Sequence, residues 1–540
     1  MFVLIYIVVF GIRKGEIVML NGLNLSEMTV EQKIGQLIVV RDLLTEEDEK
    51  FILEMIEKKS VGGIQIRFND KYKDFMKKVH EKADYPILVC ADMETGYPEG
   101  EGRYPCAMGI AACGNPDIAY ELGRITAIEA KNAGANVIWG PVVDSAVEHA
   151  LCRNTRCFGD NPEKISEFTA AMVRGLQDEG MVTTAKHYPS CSDILCDTHL
   201  QMDESSLTED EMLERDLVPY LYLMKNADLA GIMTEHVVYK NIDEKNVTTL
   251  SKKVIDIIRR QGFDGLIVTD SFAMMAIVQN YGLMECIGLA VAAGCDMVLP
   301  NYRVTFKDSY EYLLKAYKEG VFTEERLDEA VRRVITAQNR TMKQPSQTEL
   351  NNEQRELLKN MRKLTVAAKL KDGYTTKISE DTKKLFVLLC ENAYLDPEEE
   401  SKELIVDYKH SRQNMMKRKE YLLKEFPDSK VFIINEFPNH IEMEKVCELV
   451  SEVDEVIVFS YCRFQSYLGS DGITERIENL IKANTHKIST VIHCGNPYEL
   501  KKFKNIERII LNQYGIENDD CIVDILKGKY IPQGVIPVQI

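Results

Sequence analysis

Lys186-His187-Tyr188-Pro189 closes an apolar run, and Asp197-Thr198-His199 follows within one loop. A carboxylate two residues before a histidine can orient the imidazole and raise its basicity, which suits proton transfer near neutral pH. Farther along, Gly262-Phe263-Asp264-Gly265-Leu266-Ile267-Val268-Thr269-Asp270-Ser271 reads as a buried strand that delivers a second carboxylate, Asp270. A carboxylate able to attack and an imidazole able to move a proton are the minimum for double displacement at an acetal carbon. Taken alone, Asp270 also suits a helix N-cap after its strand, and His199 a solvated loop position beside an acid.

The elements that must position these residues alternate along the chain. Short β-branched runs at 34–40, 61–68, 86–92, 136–144, 183–187, 231–236, 266–270 and 296–300 are separated by amphipathic helical stretches, the pattern of a parallel α/β fold. Eight such units are the count of a (β/α)8 TIM-type barrel, in which functional residues sit at the C-terminal strand ends. Asp92, Asp144, His187, His236 and Asp270 all stand there. Asn161-Pro162 caps and opens a helix whose apolar face is Ile165, Phe168, Met172 and Leu176, with Gly180 after its end. Thr323 opens another, with Leu327, Val331 and Val334 on its inner face. A second alternation, at 385–390, 430–435, 455–460, 489–494 and 508–513, gives a smaller open α/β sandwich. The expected organisation is an extension at 1–24, the barrel at 25–342, a connection at 343–384 around Pro345-Ser346-Gln347, and the sandwich domain at 385–540.

The same residues carry a family resemblance. The chain resembles family 3 glycoside hydrolases, in the β-N-acetylglucosaminidase branch that uses an Asp-His pair as acid/base. That branch carries Lys-His-Phe-Pro-Gly-His-Gly-Asp, then Asp-Ser/Thr-His, then Ser-Asp-Asp-Leu. Here the segments are Lys186-His187-Tyr188-Pro189-Ser190-Cys191-Ser192-Asp193, Asp197-Thr198-His199 and Thr269-Asp270-Ser271-Phe272. Asp92-Met93-Glu94, the stretch from Asn136 to Asp144, Arg156-Cys157-Phe158-Gly159 and Gly495-Asn496-Pro497 extend the likeness over nearly the whole chain.

The resemblance implies Asp270 as nucleophile, His199 as acid/base and Asp197 as the carboxylate that orients it. It further implies Asp92, Arg156, Lys186, His187 and His236 as substrate-binding residues, with no cofactor and no metal. Glu235 competes for a carboxylate role. The expected reaction is retaining, exo-acting hydrolysis of terminal β-N-acetylglucosaminyl residues from cell-wall or chitin-type oligosaccharides. A phosphorylase or β-glucosidase of the same fold, and a silent sugar-binding protein, are the alternatives. Two departures bear on the glycan. The family's arginines after the third strand are absent, leaving Arg103 as a substitute, and its Gly-His-Gly has become Ser190-Cys191-Ser192.

Composition narrows the partners. With 540 residues the chain exceeds one ordinary domain, and its net charge of −19 argues against nucleic acid or an anionic membrane face. A small neutral glycoside is indifferent to that field. The apolar run at 1–12 is shorter than the about 20 residues that a spanning helix needs, and Arg13-Lys14 follows it instead of preceding it as in a secretory signal. Met19 offers an alternative start, and no stable membrane association is expected. The 14 cysteines lack any Cys-x-x-Cys pair, which points to free thiols and a cytoplasmic setting. The equally spaced pairs Cys152/Cys157 and Cys191/Cys196 flank the expected site, with metal binding as their less favoured role.

Overall fold

The computed structural model describes residues 23–101, 103–148, 154–192, 194–391, 412–462, 472–515 and 518–540. The expected extension and its alternative start at Met19, together with Cys152 and Asp193, lie outside the described residues apart from positions 23 and 24.

Eight parallel strands follow one another around the first sheet. They are β1 (Val39–Val40), β2 (Gly63–Gln65), β3 (Leu88–Ala91), β4 (Val137–Ile138), β5 (Val182–Tyr188), β6 (Gly231–Thr234), β7 (Leu266–Ser271) and β8 (Met297–Leu299). Register runs through Val39↔Gly63, Gly63↔Leu88, Cys90↔Val137, Val137↔Val182, Thr184↔Gly231 and Gly231↔Leu266. The ring closes where the Val298 N–H donates to the Leu37 carbonyl at 2.9 Å. All seven residues of β5 are buried, as expected for strands covered on both faces.

Each of the eight expected runs contains a strand, but three are much shorter than expected, the run at 61–68 keeping only Gly63–Gln65. Ile34 to Gln36 finish the helix Val30–Gln36 instead of opening β1. Thr29 and Gln32 form a reciprocal capping box, at 3.2 and 2.9 Å, that nucleates this turn. In the 136–144 run only Val137–Ile138 pair as a strand. The rest leaves the barrel wall and carries Asp144 towards β5. The helix Pro162–Asp178 starts at Asn161, whose side chain accepts from the Lys164 N–H, and buries Ile165, Phe168, Met172 and Leu176.

The second sheet is β9 (Val366–Leu370), β10 (Lys384–Cys390), β11 (Lys430–Asn435), β12 (Glu455–Tyr461), β13 (Ile488–Cys494) and β14 (Arg508–Asn512). Its spatial order is β9-β14-β13-β12-β10-β11, all parallel except the edge strand β9. The stretch 343–384, expected as a connection, holds the helix Asn352–Leu364 and this edge strand. Val-Ala-Ala-Lys-Leu has too little β-branched content to read as a strand; antiparallel pairing with β14 imposes the conformation.

The end of the chain returns to the barrel. Met108, Ala146, Cys157, Tyr498 and Val538 share one apolar cluster. The Tyr498 hydroxyl donates to Asp160 at 3.1 Å, and the Val535 N–H donates to the Ala112 carbonyl at 2.8 Å. Gly159, at φ +133, has room for no Cβ, which would stand 2.5 Å from the Pro537 carbonyl oxygen. Among the described residues no helix is long and apolar enough to cross a membrane.

At the N-terminal end of β8, the fully buried Asp296 carboxylate accepts from Arg259 at 2.7 Å, Arg326 at 2.6 Å, Arg333 at 3.2 Å and the Ile267 N–H at 2.9 Å. This hub ties the helix before β7 and the helix Glu324–Arg340 to two strands. Asp296→Ala leaves three guanidinium groups without their common partner and is expected to cost about 3–5 kcal/mol. Urea unfolding of the intact chain checks this, and a loss under about 1 kcal/mol would show that the arginines find other acceptors.

Candidate active site

The C-terminal strand ends open into a cleft of ≈ 1680 Å³. Small-molecule pockets run to about 1,000 Å³, so there is room for more than one sugar ring. Asp92 after β3, Lys186 and His187 on β5, and Asp270 on β7 line it, together with Arg156 and His199. The opposite wall comes from the second sheet and its neighbours, including Glu391 after β10, Arg418, Cys462 after β12 and Cys494 on β13.

Asp270 accepts from the Ser271 N–H at 2.6 Å. Burial pushes its carboxyl up, but His187, His236 and that N–H outweigh burial and the nearby Glu235, so the pKa falls below the ordinary value. An ionised carboxylate at the cleft floor is what attack on an electrophilic carbon requires.

His199 stands across the loop that follows β7. Its ring Nδ1 meets Asp197 Oδ1 at 2.7 Å, and the same oxygen accepts the His199 backbone N–H at 3.0 Å. Asp197 is buried, whereas the His199 side chain is 23% exposed, so the acid is fixed and the imidazole edge reaches the cleft. A carboxylate at Nδ1 places the proton there and leaves Nε2 as the nitrogen that gains or loses one. The Met275 N–H donates to the His199 carbonyl at 3.3 Å and the Ala276 N–H to the Thr198 carbonyl at 3.2 Å. The dyad loop is therefore docked on the segment just after Asp270.

A charge network backs the floor. Lys186 Nζ donates to Asp92 at 3.0 Å and contacts Glu94 at 2.8 Å. Arg156 grips Glu94 with two bonds, 2.8 and 2.6 Å, and lies 3.5 Å from His187 Nε2. Burial works against the Glu94 anion, yet Arg156 and Lys186 hold its pKa well below the ordinary value. Burial likewise works against the Lys186 cation, and Glu94 and Asp92 more than restore it. Asp92 projects into the cleft with 59% of its side chain exposed. The proposed stand-in Arg103 also reaches the cleft wall, 3.4 Å from the Thr95 hydroxyl.

His187 Nδ1 bonds Asp144 at 2.7 Å, and Asp144 also accepts from the Cys191 N–H at 3.1 Å. The Cys191 thiol donates to Glu235 Oε2, with S···O at 2.8 Å. Ligand-type atoms of Asp144, His187 and Cys191 lie within 4.8 Å of one another, as do those of His187, Glu235 and Asp270. This donor set suits a zinc-like cation by chemistry, but a cation would have to break the Asp144–His187 and Cys191–Glu235 pairs.

His236, expected to bind substrate, does not line the cleft. Its ring is fully buried behind the cleft wall, with Nδ1 2.9 Å from the Thr249 hydroxyl and Nε2 3.1 Å from the Ser271 carbonyl. Burial lowers its pKa, so a neutral ring braces the end of β7 from behind. Sequence reasoning missed Glu94 as the counter-ion of Lys186 and Arg156, and Asp144 as the partner of His187. Both stood in quoted motifs, and Asp144 had been placed at a strand end. Arg41, whose Nη2 lies 3.3 Å from the Ser271 hydroxyl, carried no signal.

Residues 29–337 match the glycosyl hydrolase family 3 N-terminal domain. A β-hexosaminidase of Nitrosomonas eutropha is 32% identical over 257 residues, 44% of this chain and 73% of that protein. One from Thiobacillus denitrificans is 28% identical over 256 residues, covering 44% and 71%. Among solved structures, a family 3 β-N-acetylglucosaminidase from Paenibacillus sp. is similar over 95% of this chain and 99% of its own, with a TM-score of 0.78 at 23% identity. A β-glucoside phosphorylase is similar over 95% and 94%, with a TM-score of 0.79 at 20% identity.

Glu94→Gln removes the anion shared by Lys186 and Arg156 and is expected to cost about 3 kcal/mol near neutral pH. Because the native pKa of Glu94 is depressed, its contribution is complete above the unfolded value and fades as pH falls through the folded one. The deficit should therefore be largest at about pH 7 and shrink towards about pH 3. Urea unfolding of both proteins across that range checks the sign; a deficit independent of pH would show that charge is not what Glu94 contributes.

Proposed function

The chain belongs to glycosyl hydrolase family 3, and from that premise we propose a retaining exo-β-N-acetylglucosaminidase with Asp270 as nucleophile and His199 as acid/base. The observation that carries this reading is the docking of the Asp197–His199 dyad on the segment that follows Asp270, with both side chains on one cleft. Asp270 attacks the anomeric carbon while His199 Nε2–H protonates the departing glycosidic oxygen, giving a covalent glycosyl-enzyme. The neutral imidazole then takes a proton from water as its oxygen attacks the same carbon, releasing Asp270. Two inversions give net retention. Asp197 holds the tautomer and stabilises the imidazolium that starts the first step and is regenerated by the second.

Asp92, Lys186, Arg156 and His187 bind the hydroxyls of the terminal ring in this reading, with Glu94 keeping the two cations aimed. The hexosaminidase names of the sequence relatives support an N-acetylglucosaminyl residue. The 25–342 stretch is the catalytic unit, and 385–540, with the helix and edge strand before it, walls the leaving-group side. The cysteine usage supports a cytoplasmic setting.

One observation favours a second acceptor. The cleft is lined by nine lysines and arginines against six aspartates and glutamates, on a chain of net charge −19. Such a wall draws anions, and an imidazole base does not repel a phosphate dianion as a carboxylate base would. Phosphorolysis is the second reading, and a panel of chromogenic β-glycosides with and without phosphate separates the two. A rate increase that tracks phosphate, with a sugar 1-phosphate as product, decides for phosphorolysis.

Asp270→Ala should lower turnover by on the order of 10⁴ or more while the protein stays folded. A 2-fluoro glycoside should label Asp270 in peptide mapping, and a folded variant with a tenth of the activity would remove it from the role. His199→Ala should slow poor leaving groups far more than activated aryl glycosides, and azide should rescue it because azide attacks without a base. Asp197→Asn should show the same pattern more weakly. Equal loss across leaving groups without azide rescue would move the proton to Glu235 or another carboxylate.

A further inference from the structure

Three buried polar atoms on the barrel side of the cleft have no hydrogen-bond partner among the described residues: Arg41 Nε, Gln65 Oε1 and Trp139 Nε1. All three residues line the cleft, and they stand just after β1, at the end of β2 and just after β4. The strand among them, β3, leads into Asp92, which projects into the same cleft. Buried donors and acceptors are nearly always paired, so an orphan group calls for an explanation. Three at strand ends of one cavity share one: a ligand completes them.

Their position around the ring says which part of the ligand. In an eight-stranded barrel the strand facing β7 is β3, so β2, β3 and β4 stand across the mouth from Asp270. A pyranose with its anomeric carbon over Asp270 turns the opposite ring edge towards them. The chemistry of the atoms narrows the group. Arg41 Nε–H and Trp139 Nε1–H need an acceptor, whereas Gln65 Oε1 needs a donor, and a hydroxyl is both. A carboxylate on that edge would leave Gln65 unmatched and would face the Asp92 anion. We infer that Gln65 and Trp139, beside Asp92, form the recognition surface for neutral hydroxyls on the edge of the terminal sugar remote from the scissile bond, with Arg41 on the flank between that edge and Asp270. Arg41 also ties this surface to the end of β7 through the Ser271 hydroxyl. The inference rests on the cleft being the terminal-sugar site, whichever acceptor and whichever substituent at C2 the enzyme uses.

Trp139 supplies the test, because it is the single tryptophan of the chain and only 1% exposed. The intact protein is titrated with N-acetylglucosamine, glucose, their 3-, 4- and 6-deoxy analogues and glucuronate, following tryptophan fluorescence. The expected result is a saturable change with a neutral sugar, weakened about tenfold or more when one remote hydroxyl is missing. Gln65→Leu should weaken the parent sugar by a similar factor and the affected deoxy sugar by less than about twofold, since each change removes the same bond. Because Leu removes an orphan acceptor, the variant's thermal midpoint should not fall. The proposal is overturned if Gln65→Leu lowers the midpoint by several degrees, weakens every analogue equally, or leaves affinity unchanged. Tighter binding of glucuronate than of the neutral sugars overturns it as well. A response to glucose with this non-additivity, and none to N-acetylglucosamine, sinks the acetamido-sugar reading and leaves the hydroxyl surface standing.

Discussion

The barrel closes where Val298 donates its N–H to Leu37, and closure leaves no unpaired edge in the first sheet. It also forces eight C-terminal strand ends, far apart in sequence, onto one rim. Asp92, Lys186 and Asp270 meet there because β3, β5 and β7 are alternate strands of one closed ring. At the other end of the strands, Asp296 gathers Arg259, Arg326 and Arg333 away from the cleft. Charge below the barrel ties helices to strands, and charge above it faces the cleft, which is the usual division of labour in this fold.

Crowding polar groups onto a rim has a cost that the cleft meets by pairing. Lys186 is almost fully buried, and a lone ammonium there would cost several kcal/mol. Glu94 cancels it while gripping Arg156, so two cations can face a substrate with one anion behind them. Asp270 keeps its charge under burial for a related reason: His187 and His236 stand near it, and the Ser271 N–H points at it. His187 is in turn held by Asp144, and the end of β7 is braced by His236. The orphan atoms of Arg41, Gln65 and Trp139 are the exception to this pairing, and they lie where a ligand can supply what the protein does not.

The second sheet matters to the site through placement. Its strand order puts the C-terminal ends of β10, β12 and β13 opposite the barrel mouth, so Glu391, Cys462 and Cys494 face the strand ends of the first sheet. The final residues secure that arrangement. Val535, Tyr498 and Gln539 bond back to the barrel, and Gly159 leaves the Pro537 carbonyl room to approach. The loop carrying Asp197 and His199 is pinned from the other side, to the backbone after β7. Ser190-Cys191-Ser192, in place of a glycine-rich turn, belongs to this fixed arrangement: Cys191 reaches both Asp144 and Glu235.

The sequence by itself determined the periodicity of the chain and the chemistry at its strand ends. Buried strands of a parallel barrel are continuous apolar runs bounded by polar residues, so all eight were legible, and so were Asp92, His187 and Asp270 at their ends. Asn161-Pro162 and Thr323 announced their helices because capping is settled within four residues. Where a local rule competed with the apolar run, as the Thr29–Gln32 box does at Ile34, the run misled. Tertiary structure alone decided what depended on partners distant in the chain. Glu94 meets Arg156 across 62 residues and Asp92 meets Lys186 across 94; neither separation leaves a pattern in composition. The edge strand β9 exists because β14 pairs with it, 146 residues later at Val366↔Asn512. His236 has the type and position of a ligand-binding residue, yet Thr249 and the Ser271 carbonyl take both ring nitrogens. Residue type states what a side chain can bond; only the packed fold determines which partner is within 3 Å of it.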